Sequence, residues 1–243
     1  MGKTRTPAKG PALDAVILAA GLGTRLRPHT NTIPKPLLPV QGRPILEWTI
    51  AALPRDVNRL VVVTNYLAEQ VDAYLAGQSH IKDWTTVRQE VPRGTGDALR
   101  VCAPHIQSER LVVLNGDDLY GAADLATLAE KPAGILAHPV DEARKWGVVT
   151  PKANDPGLME KLEEKPDRDG PALANIGAYV FPRSVFDIPL TLSKRNEYEI
   201  TEAVDVLARL APFHVVRATF WFPIGTIEQW QAAQTADLSK AKR

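Results

Sequence analysis

The chain has 243 residues and a nearly balanced charge, with 29 Lys and Arg against 28 Asp and Glu. This length suits one large α/β domain, and a net charge of +1 gives no overall electrostatic attraction to nucleic acid or to a membrane surface. Cys102 is the only cysteine, which excludes an intrachain disulfide and a cysteine-based metal cluster. The early apolar run 15–20 is too short for a membrane span or a signal sequence, so we expect a cytoplasmic protein.

Strand-like and helix-like patterns alternate through the first half of the chain. Residues 1–12 are basic and contain Pro and Gly, which predicts a loose tail before a single domain over 13–240. Short, continuous apolar runs predict buried strands at 15–18, 60–64 and 111–114. Helices are predicted between the strands at 44–53, 68–76 and 96–106. Apolar strands interleaved with helices predict a parallel sheet that is covered on both faces, and the apolar run around Cys102 predicts a buried thiol.

The pattern changes after Pro132. Short strands are predicted at 134–137, 147–150 and 174–181, with turns at 151–157 and 165–171. A helix is predicted over 200–210, because its apolar residues recur at helical spacing. These residues are Ile200, Ala203, Val204, Leu207 and Leu210.

The loop after the first predicted strand is rich in small residues. Ala20, Gly21 and Gly23 would let a phosphate or a base approach the backbone closely. A dinucleotide-binding fingerprint needs glycine at Leu26, and a P-loop needs Gly-Lys-Ser/Thr, so both of these motifs are excluded. A glycine pair after a strand is more often a tight structural turn, so the loop alone is weak evidence.

Two basic residues strengthen the interpretation of this loop. Arg25 offers a planar guanidinium for phosphate oxygens. Lys35 stands between Pro34 and Pro36, which restrict the backbone and present the lysine from a stiff segment. Together they predict a binding site for nucleotide phosphates.

The stretch from Leu18 to Pro44, LAAGLGTRLRPHTNTIPKPLLPVQGRP, resembles the signature of the sugar-1-phosphate nucleotidyltransferases. It is similar to the short glucose-1-phosphate thymidylyl- and uridylyltransferases and to the N-acetylmuramate-1-phosphate uridylyltransferases. The resemblance implies a Rossmann-like three-layer α/β sandwich with a mostly parallel mixed sheet and no β-helix domain. It also implies transfer of a nucleotidyl group from UTP or dTTP to a sugar-1-phosphate, with release of pyrophosphate, in nucleotide-sugar and cell-envelope polysaccharide biosynthesis. The half up to about residue 132 would bind the nucleotide, and the half after it the sugar.

The resemblance assigns roles to residues of the loop and of a second segment, RQEVPRGTGDAL. Arg25 would hold the β- and γ-phosphates and Lys35 would stabilise charge at the α-phosphate. Gln89 would bind the pyrimidine edge, because an amide both donates and accepts hydrogen bonds; without the resemblance, a polar strand end is an equal interpretation. The nucleotide-binding residues implied are Leu18, Ala20, Gly21, Gly23, Thr24, Gln89, Gly94 and Thr95.

A pair of aspartates, Asp117 and Asp118, follows the strand predicted at 111–114. Ligands bind beyond the carboxyl ends of parallel strands, and Asp117 matches the family's magnesium ligand. Asp118 is interpreted as secondary, in a turn or a cap. The family's second metal-binding aspartate, in W-x-D-x-G-T, corresponds to Pro223, which has no ligating atom. A Mg²⁺ cofactor is therefore expected on Asp117, with the second ligand undetermined.

Four residues of the second half match sugar-side positions of the family. Gly147 would approach the sugar, Glu164 would accept hydrogen bonds from its hydroxyls, and Lys165 would meet its phosphate. Asn175 matches a sugar-binding asparagine. The ordinary interpretation of the run KLEEK is a solvated charged loop, and Glu163 is an alternative to Glu164.

Two other functions stay open at the level of sequence. The first is a cytidylyltransferase that acts on a non-sugar phosphate. The second is a catalytically inactive subunit that binds a nucleotide-sugar, which Pro223 favours and Arg25, Lys35 and Asp117 oppose. The expected partners are a nucleoside triphosphate and a sugar-1-phosphate, not nucleic acid or a membrane, and a homo-oligomer is compatible with the pattern.

Overall fold

The apolar runs of the sequence form the centre of a mixed sheet in the computed structural model, which describes residues 13–242. The predicted tail, 1–12, lies outside the described residues. The strands are β1 (Leu13–Leu18), β2 (Pro39–Val40), β3 (Arg43–Pro44), β4 (Val57–Thr64), β5 (Asp83–Arg88), β6 (Arg110–Asn115), β7 (Asp118–Tyr120), β8 (Gly134–Val140), β9 (Gly147–Pro151), β10 (Met159–Glu164), β11 (Ala172–Pro182), β12 (His214–Arg217) and β13 (Trp221–Pro223). The α-helices are α1 (Ile45–Ala52), α2 (Ala68–Gly77), α3 (Thr95–Arg100), α4 (Ala122–Ala129), α5 (Ile200–Leu210) and α6 (Ile227–Ala233).

Among residues 13–242, the main sheet has nine strands and a parallel centre. Its order is β10-β9-β11-β6-β1-β4-β5, with β8 beside β11 and β12 beside β8. β1 pairs in parallel with both β4 and β6, and β5 pairs in parallel with β4. β11 runs antiparallel to β6, β8 and β9. β11 therefore joins the two halves of the chain through one hydrogen-bonded ladder.

Alternate side chains of the central strands point to opposite faces of the sheet, as the pleat requires. Val16, Val61 and Val113 lie in the core that α3 and α5 cover. Their neighbours Ile17 and Val62 lie in the core that α1, α2 and α4 cover. Helices on both faces produce three layers, as the sequence predicted. The predicted fold class is confirmed, because a solved structure described below has the same architecture.

The helix predicted over 96–106 is shorter than expected. α3 ends at Arg100, and a separate 3₁₀ turn, Ala103–His105, follows. Pro104 has no backbone N–H to donate to the carbonyl four residues earlier, so an α-helix cannot continue through it. Cys102 lies between the two pieces and is fully buried, and its burial raises the pKa of the thiol to about 12. The prediction of a buried thiol is confirmed.

Within residues 13–242, no helix combines the length and the apolar character that are needed to cross a bilayer.

Candidate functional site

The carboxyl ends of β1 and β6 open into a cleft of about 310 Å³. The backbone N–H of Gly116 donates to Leu18 O at 2.9 Å, which holds the two strand ends together. The cleft is lined by Leu18, Ala19, Ala20, Gly21, Lys35, Pro36, Gln89, Pro92, Gly94, Thr95, Ala98, Asn115, Gly116, Asp117 and Glu197. Eight of the residues implied by the sequence resemblance thus surround one cavity.

The rest of the glycine loop lies outside this cleft. Gly23 has a φ of 63°, and a side chain there would lie 2.9 Å from Thr30 Cγ2, so both conformation and space require glycine. Thr24 and Arg25 follow in an exposed 3₁₀ turn. A methyl group built on Gly225 would lie 3.6 Å from both terminal nitrogens of Arg25, which places the guanidinium beside the segment after β13.

Lys35 and Asp117 form an ion pair at one end of the cleft. The distance from Lys35 Nζ to Asp117 Oδ2 is 2.5 Å, and the lysine side chain is 8% exposed whereas the aspartate side chain is 39% exposed. The 3₁₀ turn Lys35–Leu37 holds the lysine backbone between its two prolines. Asp117 Oδ1 makes no hydrogen bond within residues 13–242, so one carboxylate oxygen stays available to a ligand.

Asp118 is buried behind Asp117, in β7, and does not belong to an exposed turn as the sequence suggested. Burial, reinforced by the charge of Asp117, raises its pKa to about 8, and Lys35 opposes this shift. The buried Nε1 of Trp221 makes no hydrogen bond of normal geometry within residues 13–242, yet it lies close enough to favour the charged form of Asp118.

The donor set at this end of the cleft fits a magnesium ion only in part. Mg²⁺ prefers carboxylate and phosphate oxygens and keeps several waters, so Asp117 suits it as a single anchor. β13 pairs with β7 so that Pro223 lies directly opposite Asp118, where it contributes no ligand. Within residues 13–242, no group of three or more His, Cys, Asp or Glu side chains could hold a metal ion.

Gly147, Glu164 and Asn175 converge on a second cluster, at the edge of the sheet. Glu164 pairs with Gly147 in the β10–β9 ladder, and a methyl group built on Gly147 would lie 3.0 Å from Glu164 Oε2 and 3.6 Å from Asn175 Cβ. Glu163 points to the other face of β10, where Lys161 Nζ lies 3.3 Å from it. The geometry thus brings Glu164, not Glu163, to this cluster. Lys165 follows in an exposed turn with a φ of 45°.

The side chain of Asn175 is held in one orientation. Its Nδ2 donates to Tyr179 Oη at 2.8 Å, and its Oδ1 accepts from the backbone N–H of Gly177 at 3.0 Å. Burial raises the pKa of Tyr179 far above its ordinary value, so the hydroxyl stays protonated. A side chain on Gly177 would collide with the amide of Asn115, a cleft residue, so the second cluster adjoins the cleft.

A hairpin before α5, residues 193–199, lies between the cleft and the second cluster. Arg195 Nη2 donates to Glu199 at 2.8 Å and lies 3.5 Å from Glu164. Burial raises the pKa of Glu164, and Arg195 opposes that shift. The hairpin is also bonded to the segment that contains Gly94, because Tyr198 N donates to Arg93 O at 2.7 Å and Gly96 N donates to Tyr198 O at 2.8 Å.

Sequence reasoning missed several cleft residues. Asn115 and Glu197 line the cleft, and Arg195 reaches the second cluster. The position of Asn115 at the end of a predicted strand was a usable signal. The segment 196–199, NEYE, resembles the family's NEYxLTDA, a signal for structure beside the sugar site that includes Glu197 but not Arg195. Only the packing of 193–199 against α3 brings Arg195 to the second cluster.

Comparison with known proteins assigns the chain to a family. Residues 14–240 match the model of the nucleotidyl transferase family. The chain is 35% identical over 218 residues to the bifunctional protein GlmU of Methanococcus aeolicus, covering 88% of this chain but 51% of that protein, so it spans about half the length of such relatives. It is 33% identical over 208 residues to the UTP–glucose-1-phosphate uridylyltransferase AglF of Haloferax volcanii, covering 81% of this chain and 84% of that protein.

A solved structure has the same fold. It is assigned to a glucose-1-phosphate thymidylyltransferase of Bacillus anthracis in complex with sucrose, and it superposes with a TM-score of 0.81 at 26% identity, covering 92% of this chain and 94% of that one. The family match over nearly the whole described chain agrees with the resemblance seen in the glycine loop. The chain belongs to the nucleotidyl transferase family, in the group that contains these sugar-1-phosphate nucleotidyltransferases.

Proposed function

We propose that this protein transfers a nucleotidyl group from UTP or dTTP to a sugar-1-phosphate, releasing pyrophosphate. The observation that supports this most directly is the buried Lys35, whose ammonium meets Asp117 at 2.5 Å in a cleft lined by the glycine loop and by Gln89. A cation fixed at the carboxyl end of a parallel sheet suits a ligand with several negative charges. The relatives that carry the sugar-1-phosphate names support the choice of acceptor.

The proposed reaction needs alignment and charge compensation, and it needs no general base. A phosphate monoester has a second pKa near 6, so the sugar phosphate oxygen is already an anion at neutral pH. It attacks the α-phosphorus in line, a new P–O bond forms, and the bond to the β-phosphate breaks with its electron pair on pyrophosphate. Lys35 would stabilise charge on the α-phosphate, Arg25 the leaving phosphates, and Lys165 the incoming phosphate.

Asp117 is the residue that would hold Mg²⁺, through its free Oδ1. The bound ion would neutralise charge on the triphosphate. Pro223 leaves the second protein ligand of the family vacant, so waters and phosphate oxygens would complete the coordination. Glu164, Asn175 and Gly147 would contact the sugar.

A pyrophosphate-release screen tests the proposal. UTP, dTTP, CTP, ATP and GTP are each combined with a set of sugar-1-phosphates and with non-sugar phosphates, at fixed Mg²⁺. We expect turnover with UTP or dTTP and a sugar-1-phosphate. Lys35→Met and Asp117→Asn should each lower kcat by about 10²–10³-fold, because each removes a preorganised charge. Lys82→Met, at an exposed lysine outside the cleft, should match the wild type.

Two outcomes would contradict the proposal. Turnover with a non-sugar phosphate alone would assign the chain to the cytidylyltransferase-like alternative. Binding of a nucleotide-sugar without pyrophosphate release, with either Mg²⁺ or Mn²⁺, would indicate an inactive binding subunit, the alternative that Pro223 favours.

The enzyme would act in the cytoplasm, where nucleoside triphosphates are available. A homo-oligomer is compatible with the fold, and sedimentation of the purified protein would determine its state.

A further inference from the structure

We infer that Asp97 is a positioning residue that fixes the base selectivity of the nucleotide site through Gln89. This inference rests on the proposed function and goes beyond it, because it assigns a role to a residue that lies outside the cleft lining. Gln89 is 4% exposed and lines the cleft, whereas Asp97 lies behind it in the first turn of α3.

Both amide hydrogens of Gln89 are committed to the protein. Its Nε2 donates to Asp97 Oδ2 at 2.8 Å and to Gly94 O at 3.1 Å. A carbonyl and a carboxylate only accept hydrogen bonds, so Nε2 and not Oε1 must face them. Rotating the amide by 180° would bring Oε1 against two oxygen atoms, and the electrostatic repulsion opposes that rotation.

The main chain of Gln89 is also held on both sides. Its backbone N–H donates to Thr64 O at 2.9 Å, and its carbonyl accepts from Asn65 Nδ2 at 2.5 Å. Gly94 O accepts in addition from the backbone N–H of Ala98 at 3.1 Å, which fixes it to α3. The side chain therefore has a fixed origin as well as a fixed orientation.

Oε1 is the remaining polar atom of the Gln89 side chain. It accepts no hydrogen bond within residues 13–242, and the side chain forms part of the cleft wall. The wall thus presents an acceptor, which requires a donor on the ligand. The N3–H of uracil or thymine supplies one. N3 of cytosine is itself an acceptor, so the same approach places two lone pairs against each other.

Asp97 is the partner that a substitution can remove without touching the cleft. In Asp97→Ala the amide keeps one acceptor, Gly94 O, and loses the stronger, charged one. The amide can then turn and offer an N–H to cytosine. One hydrogen bond contributes about 0.5–1.5 kcal/mol, so we expect the preference for UTP over CTP to fall about 2–13-fold.

The test measures the dissociation constants of UTP and CTP by calorimetry for the wild type, Asp97→Ala and Asp97→Asn. The ratio of the two constants is the readout, because the triphosphate contacts are common to both nucleotides and cancel. An asparagine side chain can still accept through its carbonyl oxygen, so Asp97→Asn should restore most of the selectivity. Glu69→Ala, which removes an exposed first-turn acid from α2, is the matched control and should leave the ratio unchanged.

The outcomes separate this inference from the proposed function. A wild type that prefers UTP, with an Asp97→Ala variant that keeps the same preference, overturns the role of Asp97 and leaves the function intact. Equal weakening of both nucleotides assigns Asp97 a purely structural role and also overturns it. A wild type that prefers CTP overturns the orientation of Gln89. A wild type that binds neither nucleotide overturns the proposed function itself.

A measurement on the unsubstituted protein applies even if Asp97→Ala fails to fold. The side-chain amide protons of Gln89 should exchange slowly with solvent in an NMR experiment, because both are hydrogen-bonded and the residue is buried. Exchange at the rate of a solvated glutamine would overturn the inference.

Discussion

Gly147→Ala tests the proposed sugar site directly, because it places one methyl group between Glu164 and Asn175, two of the residues expected to bind the sugar. The backbone of Gly147 does not adopt a positive φ, so alanine imposes no conformational strain there. The methyl carbon would lie 3.0 Å from Glu164 Oε2, 3.6 Å from Asn175 Cβ and 3.7 Å from Asn175 Nδ2. Only the contact with Glu164 is tight, and a carboxylate at the end of a side chain can move by a few tenths of an ångström. The fold should therefore tolerate the change.

The cost of Gly147→Ala should fall on the sugar phosphate. One additional methyl group in a fitted site costs about 1–3 kcal/mol, which corresponds to a 10–200-fold rise in KM for the sugar-1-phosphate. The methyl group does not reach the nucleotide cleft, so the dissociation constant of UTP should stay at the wild-type value.

The assay is pyrophosphate release at saturating UTP with varied sugar-1-phosphate, together with calorimetric titration of UTP. Gly77→Ala is the control, because a methyl group at the end of α2 meets no atom within 4 Å. That variant should gain about 0.4–1 kcal/mol of stability through the unfolded state and keep both constants. An unchanged KM for the sugar phosphate in folded Gly147→Ala would refute the assignment of this cluster to the sugar.

Three further predictions concern buried groups. Burial raises the pKa of Asp118 to about 8 in the folded protein, whereas an unfolded aspartate has a pKa near 3.8. The free energy of unfolding, measured by urea denaturation in EDTA, should therefore fall as the pH rises from about 4 to 8, and this fall should be smaller in Asp118→Asn. An equal fall in both proteins would contradict the raised pKa of Asp118. Phe181→Ala should lower the free energy of unfolding by about 3–5 kcal/mol, because the ring is fully buried and stacks on Tyr179. A loss below about 1 kcal/mol in urea denaturation would contradict this, because it would mean that neighbouring side chains fill the space left by the ring. Cys102 should react with a maleimide only on unfolding, because burial raises the pKa of its thiol to about 12; rapid labelling of the native protein would contradict this burial.

The central strands and α5 could be predicted from the sequence because the spacing of their own apolar residues indicates a buried strand or an amphipathic helix. The run at 60–64 is apolar on both faces and forms the buried part of β4, and the helical spacing from Ile200 to Leu210 matches α5 residue for residue. β5 and β10 were not predicted. Both lie at edges of the sheet with half-exposed, polar sequences, so their strand structure comes from a neighbour and not from their own pattern.

The candidate site divides in the same way. Asp117 could be predicted to lie in the cleft because it follows the end of a strand in a parallel sheet, whereas Lys35 and Gln89 were expected there because they match the family signature. Arg195 could not be predicted, because only tertiary packing brings its part of the hairpin to Glu164, whereas Glu197 lies in the segment 196–199 that resembles the family pattern. Pro223 was recognised as a departure from the family pattern, and the β13–β7 ladder adds that it faces Asp118.

The hydrogen bonds between the Gly94 segment and the hairpin 193–199 mean that the two substrates would share one partition. Tyr198 N and Tyr198 O bond to the segment that contains Gly94, and Arg195 reaches Glu164 in the second cluster. Under the proposed function, a substitution in the hairpin that widens the sugar site would also move the support of the base. A new sugar preference engineered at these positions would then require compensating changes near Gly94, which would couple the two specificities.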